Sequence, residues 1–105
     1  MAIQSNGTLW SWGNNSWGQL GQSNMTHYSS PVQVGSVANW SRVAGGPYHT
    51  VALQSNGTLW AWGNNSWGQL GQGDFTHRSS PIQVGTISRY VTVYTMNATI
   101  LAEVQ

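Results

Sequence analysis

The chain has 105 residues and a formal net charge of +1, and only 5% of its residues are charged. This length allows one ordinary domain but not two independent hydrophobic cores. With three Arg, no Lys and two acidic residues, the chain cannot form the basic stripe that a phosphate backbone requires, so no nucleic-acid partner is expected.

Neither thiol chemistry nor membrane insertion is expected from this sequence. The absence of cysteine excludes disulfides and thiolate sites. The N-terminal residues MAIQSNG lack the basic start and apolar run of a signal peptide, and no apolar stretch approaches the roughly 20 residues that cross a bilayer. The sequence therefore predicts no membrane partner and assigns no cellular location by itself.

Two short strands around an Asn-Gly pair open the chain. Asn6-Gly7 lies between alternating apolar residues in 2–12, and such a pair readily adopts the positive φ angles of a tight hairpin turn. The same pattern around Asn56-Gly57 predicts a second hairpin over residues 51–62.

A glycine-rich segment, GNNSWGQLGQ, follows each hairpin. Its glycines interrupt the backbone too often for a regular strand and predict a tightly turned segment. A polar loop with Thr-His then leads to Ser-Ser-Pro and a short strand at 32–34 or 82–84, and a further strand is predicted at 40–44 and 90–94. Four short strands per repeat are typical of a propeller blade, so the predicted fold class is all-β.

The whole pattern occurs twice. About 26 of the 32 positions from Gln4 to Gly35 are identical at an offset of 50 residues. Such periods indicate units that cannot bury their apolar faces alone. We predict propeller repeat 1 over 1–50, propeller repeat 2 over 51–93 and a divergent C-terminal strand or hairpin over 94–105, in one structural unit overall.

The repeats share a distinctive set of residues. In the first copy these are Gly7, Leu9, Trp12, Gly13, Asn15, Gly18, Gln19, Leu20, Gly21, Pro31 and Val34. In the second they are Gly57, Leu59, Trp62, Gly63, Asn65, Gly68, Gln69, Leu70, Gly71, Pro81 and Val84, preceded by Val43, Gly46, His49, Thr50, Ala52 and Leu53. This set resembles the repeat of the regulator of chromosome condensation family. Met96 and Thr99 depart from the pattern where Gly46 and His49 follow it.

The resemblance implies a β-propeller of four-stranded blades, usually seven in one chain. It also implies structural roles for Trp12, Trp62 and the two Gly-Gln-Leu-Gly segments. His49 stands where the family has a His that ties one blade to the next.

Two blades leave two apolar outer faces uncovered, which predicts contact with further blades. By the period, residues 101–105 align with 1–5, so head and tail are expected to be complementary halves of one blade. Identical chains in head-to-tail contact would close as four, six or eight blades, and a homotrimer with six is favoured. The alternative is a fragment, natural or engineered, of a longer array.

No catalytic constellation is evident in the sequence. A paired-carboxylate mechanism would need both Asp74 and Glu103, and nothing places them together. We therefore predict that the chain is not an enzyme and binds no cofactor or metal. His27 and His77 share one loop position and could form a ring in an oligomer, although a loop residue bonded to its neighbours is the simpler interpretation.

The tryptophans divide into two groups. Trp12 and Trp62 match core positions of the family and are expected to be buried. Trp17 and Trp67 lie in the glycine-rich segments and, with His27 and His77, are the candidate recognition surface. An exposed Trp beside Asn and Gln is suited to stacking on sugar rings.

The sequence favours a non-enzymatic structural module that self-assembles and docks on another protein. Its repeats resemble those of phage and bacterial surface proteins, which suggests a virion or extracellular surface and a role in capsid decoration. The alternative is a lectin-like module that binds glycans through Trp17 and Trp67. Inhibition of an enzyme by one propeller face is a third possibility.

Overall fold

The computed structural model describes residues 1–46, 48–66, 68, 70–74, 76–85, 90–96 and 99–104. Nine strands lie within these residues. They are Ala2–Ile3 (β1), Leu9–Gly13 (β2), Tyr28–Gln33 (β3), Trp40–Gly45 (β4), His49–Gln54 (β5), Leu59–Gly63 (β6), Arg78–Gln83 (β7), Tyr90–Met96 (β8) and Thr99–Val104 (β9). The predicted all-β fold is confirmed. No helix of the described residues has the length and hydropathy needed to cross a membrane.

A hairpin turn lies at each Asn-Gly pair as predicted, but only the glycine of the pair has the positive φ that was expected of both residues. Gly7 and Gly57 both have φ 85°, a value that residues with a side chain rarely adopt. The amide of Gly7 donates to the carbonyl of Gln4, and the amide of Gly57 donates to the carbonyl of Gln54, both at 2.9 Å. The turns are therefore closed in the same way in both repeats.

The strands form three antiparallel sheets whose boundaries are out of phase with the sequence repeats. Their orders are β1-β2-β3, β4-β5-β6-β7 and β8-β9. The strand predicted to end the first repeat, β4, pairs with β5, with Val43 opposite Ala52. One four-stranded blade thus lies between a three-stranded and a two-stranded sheet, which together hold one strand more than a single blade needs.

The outer strands β3 and β7 begin four residues earlier than predicted. The register of each shifts beside a glycine of the preceding strand, at Gly13 in β2 and Gly63 in β6. These glycines have φ 107° and 109°. Pro31 and Pro81 lie within β3 and β7, which are edge strands of their sheets, and proline within a sheet is confined largely to such strands.

The hydrophobic core lies on both faces of the four-stranded sheet. Successive residues of a strand point to opposite faces, and β5 is buried along its whole length. The first cluster joins this sheet to the three-stranded one and comprises Leu9, Val34, Trp40, Ala52 and Trp62. The second cluster, on the side of β8, comprises Val51, Leu53 and Leu59 with Ala44, Val84 and Tyr90 packed against it.

Candidate docking surface

The glycine-rich turn after β2 is organised by the buried amide of Asn15. Its Nδ2 donates to the carbonyls of Asn24 and Thr26, both at 2.9 Å, and its Oδ1 accepts from the amide of Leu20 at 3.0 Å. Asn15 is 0% exposed, so these bonds satisfy a polar group that has no access to water. One side chain therefore connects the start of the turn to its end.

The second repeat builds the same turn around Asn65. Its Nδ2 donates to the carbonyls of Asp74 and Thr76 at 3.0 and 2.9 Å, and its Oδ1 accepts from the amide of Leu70 at 3.1 Å. Asn65 is also fully buried. The resemblance implied a structural role for this segment, and these contacts give the role a physical basis.

His27 and His77 each brace one of these turns. The amide of Asn15 donates to Nδ1 of His27, and that of Asn65 donates to Nδ1 of His77, both at 2.8 Å. An imidazole that accepts at Nδ1 carries its proton at Nε2, which leaves one donor on each exposed ring. Among the described residues, no group of three His, Cys, Asp or Glu could hold a metal ion.

Trp17 and His77, assigned to one recognition surface from separate repeats, meet in the structure. Their ring centroids lie 5.2 Å apart at an interplanar angle of 62°, an edge contact between the two blades. Trp17 is 36% exposed. A hollow of about 340 Å³ runs beside this contact along residues 77–82. The other tryptophan of the predicted surface, Trp67, lies outside the described residues.

Trp62 lies in the core as expected, whereas Trp12 does not. Trp62 is 0% exposed, and its Nε1 donates to the carbonyl of Gln19 in the preceding blade at 2.8 Å. Trp12 is 41% exposed, because none of the described residues covers it as the turn of the first repeat covers Trp62. The expectation of burial for Trp12 was therefore wrong for the isolated chain.

Trp12 borders a second hollow. It has a volume of about 260 Å³ and is also lined by Met1, Gln19 and Thr50. Thr50 donates through Oγ1 to the carbonyl of Gln19 at 2.8 Å. The hollow thus lies beside the hydrogen bonds that join the two blades.

The remaining predicted blade residues lie in the two glycine-rich turns and at the start of β5. Leu20 and Leu70 are buried, and Gly18 is so close to β7 that a Cβ on it would lie 2.7 Å from Cα of Ser79. His49 is 0% exposed, and its carbonyl accepts from the amide of Gly46 at 2.8 Å. Gln69 lies outside the described residues.

One ion pair on this surface was not predicted. Nη2 of Arg78 lies 2.6 Å from Oδ2 of Asp74, and both side chains are partly exposed. At the equivalent place in the first repeat, Nδ2 of Asn24 donates to the hydroxyl of Tyr28 at 3.0 Å. These positions are among the few at which the repeats differ. An acidic and a basic residue that replace Asn and Tyr together could have indicated the ion pair.

Comparison with known proteins assigns the repeats to one family. Residues 6–53 and 56–95 each match the Regulator of chromosome condensation (RCC1) repeat, and residues 40–69 match a second description of that repeat. No curated protein matches the chain.

Solved structures show the same fold. Prp20p from Saccharomyces cerevisiae, a structure described with its binding properties to Gsp1p and histones, is 19% identical with a TM-score of 0.81, over 95% of this chain and 27% of that chain. Human WBSCR16 is 21% identical with a TM-score of 0.77, over 89% of this chain and 25% of that one.

A structure of Kap60 bound to yeast RCC1 (Prp20) is similar at 23% identity and a TM-score of 0.74, over 96% of this chain and 25% of that chain. The chain therefore spans about a quarter of the length of these structures. At such identities the likeness establishes the fold, which is that of β-propeller blades.

Proposed function

The chain belongs to the regulator of chromosome condensation repeat family, and from this premise we propose that it is a non-enzymatic propeller module that assembles with copies of itself and docks on another protein. The observation that carries the proposal is the unequal division of its sheets, with one four-stranded blade between a three-stranded and a two-stranded sheet. Unpaired strand edges and uncovered apolar faces favour association with further sheets.

Head-to-tail contact between identical chains supplies further strands at both ends. β9 and β1 have the same place in the 50-residue period. Where the tail of one chain meets the head of the next, only one of these two strands can therefore pair with β2. Contacts of this kind form rings when the rotation closes. We propose three chains and six blades, since six lies in the middle of the four to eight blades of known propellers.

The proposed module is not an enzyme. Its only two acidic residues are Asp74 and Glu103, and Asp74 is held by Arg78 at 2.6 Å and by Nδ2 of Asn65 at 2.9 Å. A carboxylate engaged on both oxygens in this way serves the turn and is poorly placed to act as an acid or base.

The proposed partner is another protein. Similar structures are described with protein partners, Gsp1p and histones for Prp20p and Kap60 for yeast RCC1. The loops of Trp17 and His77 carry little charge, so recognition would depend on shape, stacking and hydrogen bonds. The setting we propose is the surface of a phage or bacterial particle, where the chain decorates a capsid, because its repeats resemble those of such surface proteins.

Native mass spectrometry and sedimentation of the purified chain test the assembly. We expect the mass of three chains, and a monomer at every concentration would contradict self-assembly. Docking is tested by cross-linking mass spectrometry on purified particles from the source culture, where we expect cross-links from the chain to a capsid or surface protein. Recovery of the chain entirely apart from the particles would contradict that setting.

A further inference from the structure

We infer that the face around Trp12 binds the turn around Gly71 of a second copy of this chain, as Trp62 packs on Gly21 within one chain. This inference rests on the self-assembly part of the proposed function and names the side chains that form the junction. The occupant is a second copy because the surface that fits Trp12 is present on the same chain, at its other end.

The boundary between the two blades supplies the internal precedent. A Cβ added to Gly21 would lie 2.8 Å from Nε1 of Trp62 and 3.2 Å from Cγ1 of Val34, so the indole lies directly against the glycine backbone. The same Nε1 donates to the carbonyl of Gln19. Trp62 and Val34 are 0% and 1% exposed, which shows how completely this contact excludes water.

The equivalent residues of the two repeats are identical in type but differ in solvent exposure. Trp12 is exposed where Trp62 is buried, and Gly71 is exposed where Gly21 is buried. The backbone is the same in both turns, with φ +73° at Gly21 and +70° at Gly71. Local sequence and local conformation therefore do not explain the difference, and the presence or absence of a neighbouring blade does.

The second core cluster lacks the tryptophan that the first cluster has at the equivalent place. The first cluster contains Trp62 beside Leu9 and Val34. The second contains Leu59, the repeat partner of Leu9, with Val84, the partner of Val34, packed against it. Within the described part of the chain it includes no tryptophan. If a second copy follows the first as the second repeat follows the first, Trp12 of that copy takes the place that Trp62 has in the first cluster.

A second internal contact predicts a second contact at the junction. The amide of Ser23 donates to the carbonyl of Ser79 at 2.8 Å, and the hydroxyls of Ser23 and Ser80 lie 2.6 Å apart. By the period, the corresponding pair between copies is Gly73 of one chain and Ser30 of the next. Both residues are exposed in the single chain.

Disulfide trapping tests this junction, because the chain has no cysteine of its own. The double variant Gly73→Cys/Ser30→Cys places one thiol on each side of the predicted junction. A Cβ on Gly73 at φ 74° strains the backbone but meets nothing within 4 Å, and Ser23 already carries a side chain at φ 63° in the equivalent turn. The matched control, Ser23→Cys/Ser80→Cys, places the same pair of thiols within one chain.

After mild oxidation, non-reducing gels and peptide mass spectrometry should show a disulfide between copies in the first variant and within one chain in the control. Adding Trp12→Ala to the first variant should lower the yield of the disulfide at least about tenfold, because it removes the buried anchor of the junction. Adding Val37→Ala instead, at a side chain that is 42% exposed, should leave the yield unchanged.

A control that forms its disulfide while the first variant forms none between copies would overturn the inference. An unchanged yield after Trp12→Ala would do the same. If the unmodified chain is then still oligomeric by native mass, self-assembly stands and only the named junction is wrong. A monomeric native mass together with no trapping would overturn both.

Discussion

The indole Nε1 of Trp62 donates a hydrogen bond to the main-chain oxygen of Gln19 across the boundary between the blades. The same oxygen accepts from Oγ1 of Thr50, so two donors of the four-stranded sheet converge on one carbonyl of the glycine-rich turn. This carbonyl is the point at which the first repeat is fixed to the second.

Removing both donors to that carbonyl should cost more than the sum of the single changes. Thr50→Val and Trp62→Phe should each lower the free energy of unfolding by about 1–2 kcal/mol, since each leaves the other donor in place. The double variant should lose at least about 1 kcal/mol beyond their sum, because the oxygen is then buried without a partner. Urea unfolding of the four proteins measures this, and simple additivity would contradict it.

Asn15→Ala should be one of the most damaging polar substitutions in the chain. It removes four hydrogen bonds of a fully buried side chain, to two carbonyls, one side-chain oxygen and one amide, so we expect a loss of about 2–4 kcal/mol in the free energy of unfolding. Asn14→Ala, at an exposed neighbour, is the control and should cost less than about 1 kcal/mol. Equal losses in denaturant titrations would show that the buried amide does not hold the turn.

Gly63→Ala should destabilise the chain far more than Gly13→Ala. Both glycines have φ near 108°, so the backbone strain of the substitution is similar, but a Cβ on Gly63 would lie 2.7 Å from Cα of His49, whereas a Cβ on Gly13 meets nothing within 4 Å. The difference in unfolding free energy isolates this clash, and we expect it to exceed about 2 kcal/mol. Similar melting temperatures for the two variants would contradict this.

The ion pair between Asp74 and Arg78 should contribute little to stability. Both side chains are partly exposed, so Arg78→Ala should cost less than about 1 kcal/mol, and the cost should shrink further in 1 M NaCl. The double variant Asp74→Asn/Arg78→Tyr installs the pair found in the first repeat and should melt within a few degrees of the unmodified chain. A large loss in that variant would show that the charges themselves are required.

Trp17→Ala should leave the fold intact and weaken docking. The ring is partly exposed, and its edge contact with His77 contributes about 0.5–1.5 kcal/mol, which an otherwise packed chain tolerates. We expect fewer cross-links between the variant and its partner protein on purified particles, with an unchanged circular dichroism spectrum. A glycan array on which the unmodified chain binds and the variant does not would instead favour the lectin-like alternative.

The local features of the fold could be predicted because their causes are local. Asn6-Gly7 and Asn56-Gly57 each specify a turn with their own backbone preferences, and the structure has both turns. The pairing of β4 with β5 could not be predicted. A 50-residue period shows that the strands recur but does not show which strand begins each sheet.

The candidate surface could be predicted only in part. Trp12 and Trp62 each begin the same ten-residue segment, WGNNSWGQLG, so the sequence that follows them cannot reveal that one is exposed and the other buried. That difference depends on a neighbouring blade. The contact between Trp17 and His77 likewise joins two repeats and has no signal in either one alone.

The four-stranded sheet takes β4 and the first two residues of β5 from the first sequence repeat, and the rest of β5, β6 and β7 from the second. Melting either repeat would therefore strip main-chain hydrogen bonds from the other. We therefore expect the two repeats to unfold together. The unit that recurs in the sequence is not the unit that unfolds.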